Sequence, residues 1–221
     1  MATRLYLPTS SAAPVISPAY AGSWTDTSIA SRVRTSTAKS DGALTTVEFR
    51  GDPDPNNGRA ILFRQWVSPE LTAGQTITGA QVIKSQARCR EYSAAANLYE
   101  EIIIKIGDGA TVHKTMYSDA FGVSTYVVAT ALVNRSNTAA SESGNYTTVS
   151  GDRIIIELGL RNTAEINYDP DCDVRLGDPI ASSDLPENDT ATTDDAPWVQ
   201  LAQTLTFVPP VVTGIAAVSG G

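Results

Sequence analysis

Residues 153–161, in which Ile154-Ile155-Ile156-Glu157-Leu158-Gly159-Leu160 stand between Gly151-Asp152-Arg153 and Arg161, read as a buried strand. β-branched residues lead the run and turn chemistry precedes it. A strand of this kind needs neighbours, and the chain offers them. Residues 44–50 alternate Leu44, Thr46 and Glu48 with Thr45, Val47 and Phe49. Further strand-like runs cover residues 61–67, 76–87, 99–106, 111–117, 125–133, 172–176 and 198–208. The turn Gly107-Asp108-Gly109 makes a hairpin of the runs at 99–106 and 111–117. Residues 93–99 are long enough only for a helical turn, and residues 134–151 read as a loop of Ser, Asn, Thr and Gly. Short strands, turn-rich connections and no long helical period predict an all-β protein: an antiparallel β-sandwich, with a jelly roll first among sandwiches.

Composition points the same way. Only 18% of the 221 residues are charged, which suits short strands and polar turns better than a helical bundle or a coiled coil. The length suits one such domain. Net charge is −8 and the pI about 4.6, with no basic stripe. Displacing counterions from DNA or RNA requires such a stripe, so no direct nucleic-acid contact is expected. No apolar stretch approaches the ~20 residues of a membrane helix, and no basic segment followed by an apolar run opens the chain. The expectation is a protein made in a cytoplasm, without membrane contact. Cys89 and Cys172 are far apart in sequence; reduced core thiols are the simpler expectation and a disulfide the alternative.

Three segments follow. Residues 1–40 read as an extended N-terminal arm, 41–208 as the sandwich, and 209–221 as a C-terminal tail too apolar for an inert linker. Pro8, Pro14 and Pro18 punctuate the arm and oppose helix and interior strand pairing. Leu5, Tyr6, Leu7, Val15, Ile16, Tyr20 and Trp24 make it too apolar to lie free in water. Such an arm lies along its own core or along a neighbouring subunit, and both placements stay open. These seven residues are the candidate partner-binding set.

The search for chemistry finds little. A Ser–His–acid triad would have to use His113, the only histidine, and no Gly-x-Ser-x-Gly elbow accompanies it. Two cysteines and one histidine at these spacings do not make a zinc site, and no phosphate-binding or dinucleotide fingerprint occurs. No catalytic residue and no cofactor are expected. Two acidic loops are calcium candidates, one with Asp52 and Asp54, the other with Asp169, Asp171 and Asp173. Neither completes an EF-hand, since positions six and twelve fall on Asn57 and Phe63, or on Val174 and Ile180; solvated turn acids are the alternative. The acidic stretch 165–195 reads as a hydrophilic outer loop, because nothing in it signals the burial a glycosidase acid needs. Trp24, Trp66 and Trp198 serve either a core or a sugar-stacking platform.

Three blocks resemble a family of tailed-bacteriophage virion structural proteins. They are Ala2-Thr3-Arg4-Leu5-Tyr6-Leu7-Pro8 with Pro14, Pro18, Tyr20 and Trp24; the strand Gly151 to Gly159; and Arg175-Leu176-Gly177-Asp178 with Ser183-Asp184-Leu185-Pro186 and Pro197-Trp198. The resemblance implies an assembly role without a reaction to catalyse, and it carries over no functional residues. It makes capsid decoration or cementing the first expectation, with the major capsid or other virion proteins as partners, homo-oligomers, and a place in the virion. A tail or fibre component, or a carbohydrate-binding attachment module, is the alternative. Deleting residues 1–24 is expected to end particle attachment and leave the sandwich folded.

Overall fold

Residues 2–51, 59–120, 131–162 and 171–210 are described by the computed structural model, and within them the apolar runs pair into thirteen strands with no helix. The buried run becomes β11 (Arg153–Arg161), flanked on one side by β4 (Ala60–Glu70) and on the other by β7 (Tyr99–Gly107). β8 (Val112–Ala120) completes the hairpin with β7, and β2 (Ser31–Arg34) joins β4 in parallel, giving a five-stranded sheet ordered β2-β4-β11-β7-β8.

The second sheet is built around β6 (Val82–Glu91). One edge of β6 carries β9 (Val133–Ala140). The other carries β13 (Trp198–Leu201) along Ile83–Gln86 and then β12 (Cys172–Asp178) along Arg88–Glu91. β1 (Thr3–Tyr6) pairs with β13, and β3 (Gly42–Phe49) with β12. β5 (Thr76–Ile77) and β10 (Tyr146–Thr147) form a small separate ladder.

The core lies between the two large sheets. Ile102, Ile104, Ile106, Ile154, Ile156, Leu158 and Leu160 face Ala87, Cys89, Cys172, Val174, Leu176, Val199 and Leu201, all buried. Each fully buried aliphatic side chain contributes roughly 1.5–3 kcal/mol. An antiparallel β-sandwich is therefore the fold. Eight of the strands form two four-stranded antiparallel sheets, β3-β12-β6-β9 and β4-β11-β7-β8, an order consistent with a jelly roll, with β13 and β1 added beside β6 and β2 added in parallel at the β4 edge.

Local expectations diverge where tertiary pairing overrules composition. Residues 134–140 form β9 rather than loop, because β6 pairs along them and partners take up the Asn134 amide: Asn134 Nδ2 donates to Gln86 Oε1 at 2.7 Å and to the Asn188 carbonyl at 2.6 Å. The run 76–87 breaks at Ala80, whose φ is 53°, into β5 and β6. The run 198–208 stops as a strand at Leu201, with one bridge beyond it, Leu71 to Phe207. Residues 93–98 make a turn closed by the Ala96 N–H on the Ser93 carbonyl at 2.9 Å. Most of the 125–133 run, and residues 211–221 of the tail, lie outside the described residues.

Both cysteines are free and buried on adjacent strands, Cys89 opposite Val174 and Cys172 opposite Glu91. Burial pushes both thiols well above their usual range.

Candidate functional site

The N-terminal segment is a strap across both sheets of its own chain. At its start β1 inserts beside β13 and sinks Leu5 and Leu7, each with 0% exposure, into the core. Tyr6 is half-buried and its hydroxyl donates to Asp184 at 3.1 Å. The chain then passes Trp66, whose Nε1 donates to the Pro8 carbonyl at 2.9 Å. Ser11 bonds both ways with the backbone of Arg34 on β2. Ile16 lies on the β7–β8 turn at Gly109, where a Cβ would come within 2.9 Å of the Ile16 Cβ.

From Pro18 to Trp24 the strap crosses the outer face of the five-stranded sheet. Trp24 packs there with Ala60, Leu62 and Ile103, and with Tyr20 and Ala21. It is held from beneath by β11. Gly159 leaves the slot for the indole, since a Cβ there would lie 2.5 Å from Trp24 Cζ3. Glu157, two residues earlier on the same face, accepts from Trp24 Nε1 at 2.6 Å and from the Ala21 N–H at 3.1 Å. Gln65 on β4 and Lys105 on β7 reach the same carboxylate at 2.8 and 2.7 Å. Arg32 bonds the Pro18 carbonyl at 3.0 Å and covers the Tyr20 ring. Glu157 and Gln65 are fully buried and Lys105 nearly so.

Thus six of the seven candidate arm residues, all but Val15, are at least half-covered by their own chain. Val15 is 70% exposed. It borders a cavity of about 110 Å³ lined with Pro14, Arg34, Thr35, Val67, Ser68, Pro69 and Arg153. A second cavity, about 300 Å³, shares Arg34, Thr35 and Pro69 and adds Pro8, Ala12 and Asp178 among others. Deletion of residues 1–24 would therefore remove β1, two core leucines and Trp24, and would not leave the sandwich intact.

The acidic side chains of the 165–195 stretch that are described are largely structural. Asp184 binds Arg4 at 2.6 Å and Lys39 at 2.8 Å, and Arg4 stacks on Trp198 at 3.7 Å. Asp178 is buried and accepts the Ser40 and Gly42 N–H groups at 2.7 and 3.0 Å. Asp194 joins Arg88 to Arg175. Apart from Arg175, the counter-charges come from outside the stretch, from Arg4, Lys39 and Arg88.

Of the calcium candidates, Asp52, Asp54 and Asp169 lie outside the described residues. Asp171 pairs with Arg50 at 3.0 Å, and buried Asp173 pairs with Arg90 at 2.5 Å. Among the described residues no group of three or more His, Cys, Asp or Glu is placed to hold a metal. His113 is held by buried Asp152 through Nδ1 at 2.7 Å, while its Nε2 stands 3.8 Å from Asp108. Tyr146 donates to the other oxygen of Asp152 at 2.7 Å, and burial with that carboxylate raises the phenol to about 12. The cluster ties β8 to the turn before β11. Trp24, Trp66 and Trp198 are 7%, 0% and 1% exposed, so they serve packing rather than a stacking platform.

No protein-family model matches the chain, and no curated protein matches it. Among solved structures it is similar to a chain of the infectious bursal disease virus Gx strain, at 11% identity and a TM-score of 0.30, covering 74% of this chain and 37% of that one. It is also similar to a chain of the Gt strain of that virus, at 13% identity and a TM-score of 0.30, covering 88% and 43%. The chain thus spans less than half the length of these neighbours. At a TM-score of 0.30 the likeness does not establish a common arrangement and fixes neither role nor partner.

Proposed function

We propose that this chain is a virion structural protein of a tailed phage, and within that class a subunit that decorates or cements the capsid surface. The sequence blocks that resemble phage virion proteins support the class. One structural observation supports the surface role. The strap is held to its own sheets at Ser11 and Ile16, yet between them it raises Val15 into solvent beside a groove made of two cavities that share Arg34, Thr35 and Pro69. Pro8, Ala12, Pro14, Val67 and Pro69 give that groove apolar walls. Prolines and anchored flanks fix the loop in advance, so a partner that covers it loses little ordering entropy. The partner in this reading is the major capsid protein or another virion protein. The tail- or fibre-associated reading uses the same surface on a different part of the particle.

Immunogold labelling of particles from the producing culture, viewed by electron microscopy, tests the reading. Even label over heads supports decoration. Label confined to tails moves the protein to the adsorption apparatus, and particles without label defeat the virion role. Adding back Val15→Asp protein to particles lacking the chain then tests the surface, with lost attachment and unchanged folding as the expected result.

A further inference from the structure

Long sheet edges invite pairing with other chains, and folded proteins usually cover, bend or charge them. Most edges here are managed. β9 is capped by the loop that follows β12: the Asn134 N–H donates to the Ala191 carbonyl and the Ser136 N–H to Asp189, both at 2.8 Å. β2 is covered by Ser11, through its bonds with Arg34. β8 carries two register shifts, and the Glu142 N–H reaches its Met116 carbonyl at 2.7 Å. β1 is short, and its Tyr6 N–H is bonded to the Ser36 carbonyl at 3.0 Å.

β3 is different. It is eight residues long, Gly42-Ala43-Leu44-Thr45-Thr46-Val47-Glu48-Phe49, with one charge, no proline and no lysine. Its outward groups can be assigned from the ladder. The Tyr92 N–H donates to the Asp171 carbonyl at 2.9 Å, so that directly opposite pair is a hydrogen-bonded one. Alternation along β12 then turns Cys172, Val174 and Leu176 toward β3, where they face Phe49, Val47 and Thr45. The backbone N–H and C=O groups of Leu44, Thr46 and Glu48 are left pointing away from the sheet. None of the three has a backbone partner on that side among the described residues.

We infer that this edge is a self-association site, where β3 of a second copy pairs antiparallel across a two-fold axis and joins two six-stranded sheets into one. The outward groups select the register. Thr46 opposite its own copy, with Leu44 opposite Glu48, is the symmetric alignment that uses all three outward residues, each such pair exchanging two bonds. It sets a Thr–Thr pair on the axis, which is favourable across strands. It also keeps each Glu48 opposite a leucine rather than opposite its copy. In a chain of net charge −8, a nearly neutral strip is where two copies approach with least repulsion. The inference rests on the edge geometry and stands apart from the virion reading.

Sedimentation and light scattering of the full chain across the micromolar range test it. The expected result is a dimer that Thr46→Pro converts to monomer with an unchanged circular dichroism spectrum, since an outward N–H is lost and an edge tolerates proline. Thr46→Cys should give a covalent dimer on oxidation, because a hydrogen-bonded pair places Cα atoms ~5.5 Å apart, within disulfide reach. Should the proline variant fail to fold, Thr46→Lys sets two ammonium groups on the axis and must likewise give monomer. A monomeric wild type whose Thr46→Cys form does not cross-link overturns the inference. So does a dimer that persists in the folded proline or lysine variant.

Discussion

The Trp24 indole N–H donates at 2.6 Å to the carboxylate of Glu157, a residue with no solvent exposure, 133 positions away in sequence. Lys105 neutralises the same carboxylate at 2.7 Å. One buried ion pair therefore anchors the N-terminal strap to the central strand of the five-stranded sheet. Taking away one partner of such a pair strands the other charge, at a typical cost of about 3–5 kcal/mol. Glu157→Gln should show that loss in urea unfolding followed by circular dichroism. Trp24→Phe removes one hydrogen bond and should cost roughly 1–3 kcal/mol. If the glutamine variant loses no more than the phenylalanine variant, the carboxylate is not holding Lys105.

Gly159 tests the strap sterically. A Cβ there would lie 2.0 Å from the Ile61 carbonyl oxygen and 2.5 Å from Trp24 Cζ3, and backbone cannot yield as a flexible side chain can. Gly159→Ala should destabilise the protein by about 1–3 kcal/mol, as overpacking does, and should shift tryptophan emission to the red as the indole is displaced. Gly22→Ala, which meets nothing within 4 Å, should stay within about 0.5 kcal/mol of wild type. Unshifted emission in the Gly159 variant would show that Trp24 does not depend on that slot.

These two residues also mark what sequence could and could not disclose. The buried run was legible because isoleucine and leucine leave little choice but a covered strand, and β11 keeps the expected bounds of 153–161. Glu157 and Gly159 interrupt that run with a charge and a residue without a side chain. Their purpose depends on Trp24, Gln65 and Lys105, which come together only through strand order. β9 was hidden for a related reason: Asn134, Arg135 and Asn137 look like loop residues until β6 and the 186–191 loop supply partners. The arm was visible as apolar and proline-punctuated, but the surface it covers is set by long-range pairing.

Core and lip residues of the strap should respond differently. Leu5 and Leu7 are fully buried, so Leu5→Ala and Leu7→Ala should each cost about 2–5 kcal/mol. Val15→Ala, at a position 70% exposed, should stay within about 0.5 kcal/mol of wild type. Thermal and urea unfolding of the three variants would check the contrast. Equal effects at Leu5 and Val15 would mean that β1 is not part of the core in solution.

Glu100 should make stability depend on pH. It lies on β7 between the sheets, where Ser85 Oγ donates to it at 3.0 Å and the Asn137 amide bonds its other oxygen. Burial outweighs those bonds and lifts the carboxyl from 4.5 to about 8. The folded state thus binds a proton that the unfolded chain releases near pH 4.5. Its stabilising contribution is complete below that pH, falls as pH rises toward about 8, and is lost above it. The slope is at most roughly 1.4 kcal/mol per pH unit. Glu100→Gln has no proton to lose, so it should remove this slope between about pH 5 and 8 and unfold at higher urea than wild type near pH 8. The comparison is urea unfolding of both proteins across that range, since other carboxylates add the same background to each. Parallel curves would mean that Glu100 ionises freely, and that water reaches the space between the sheets.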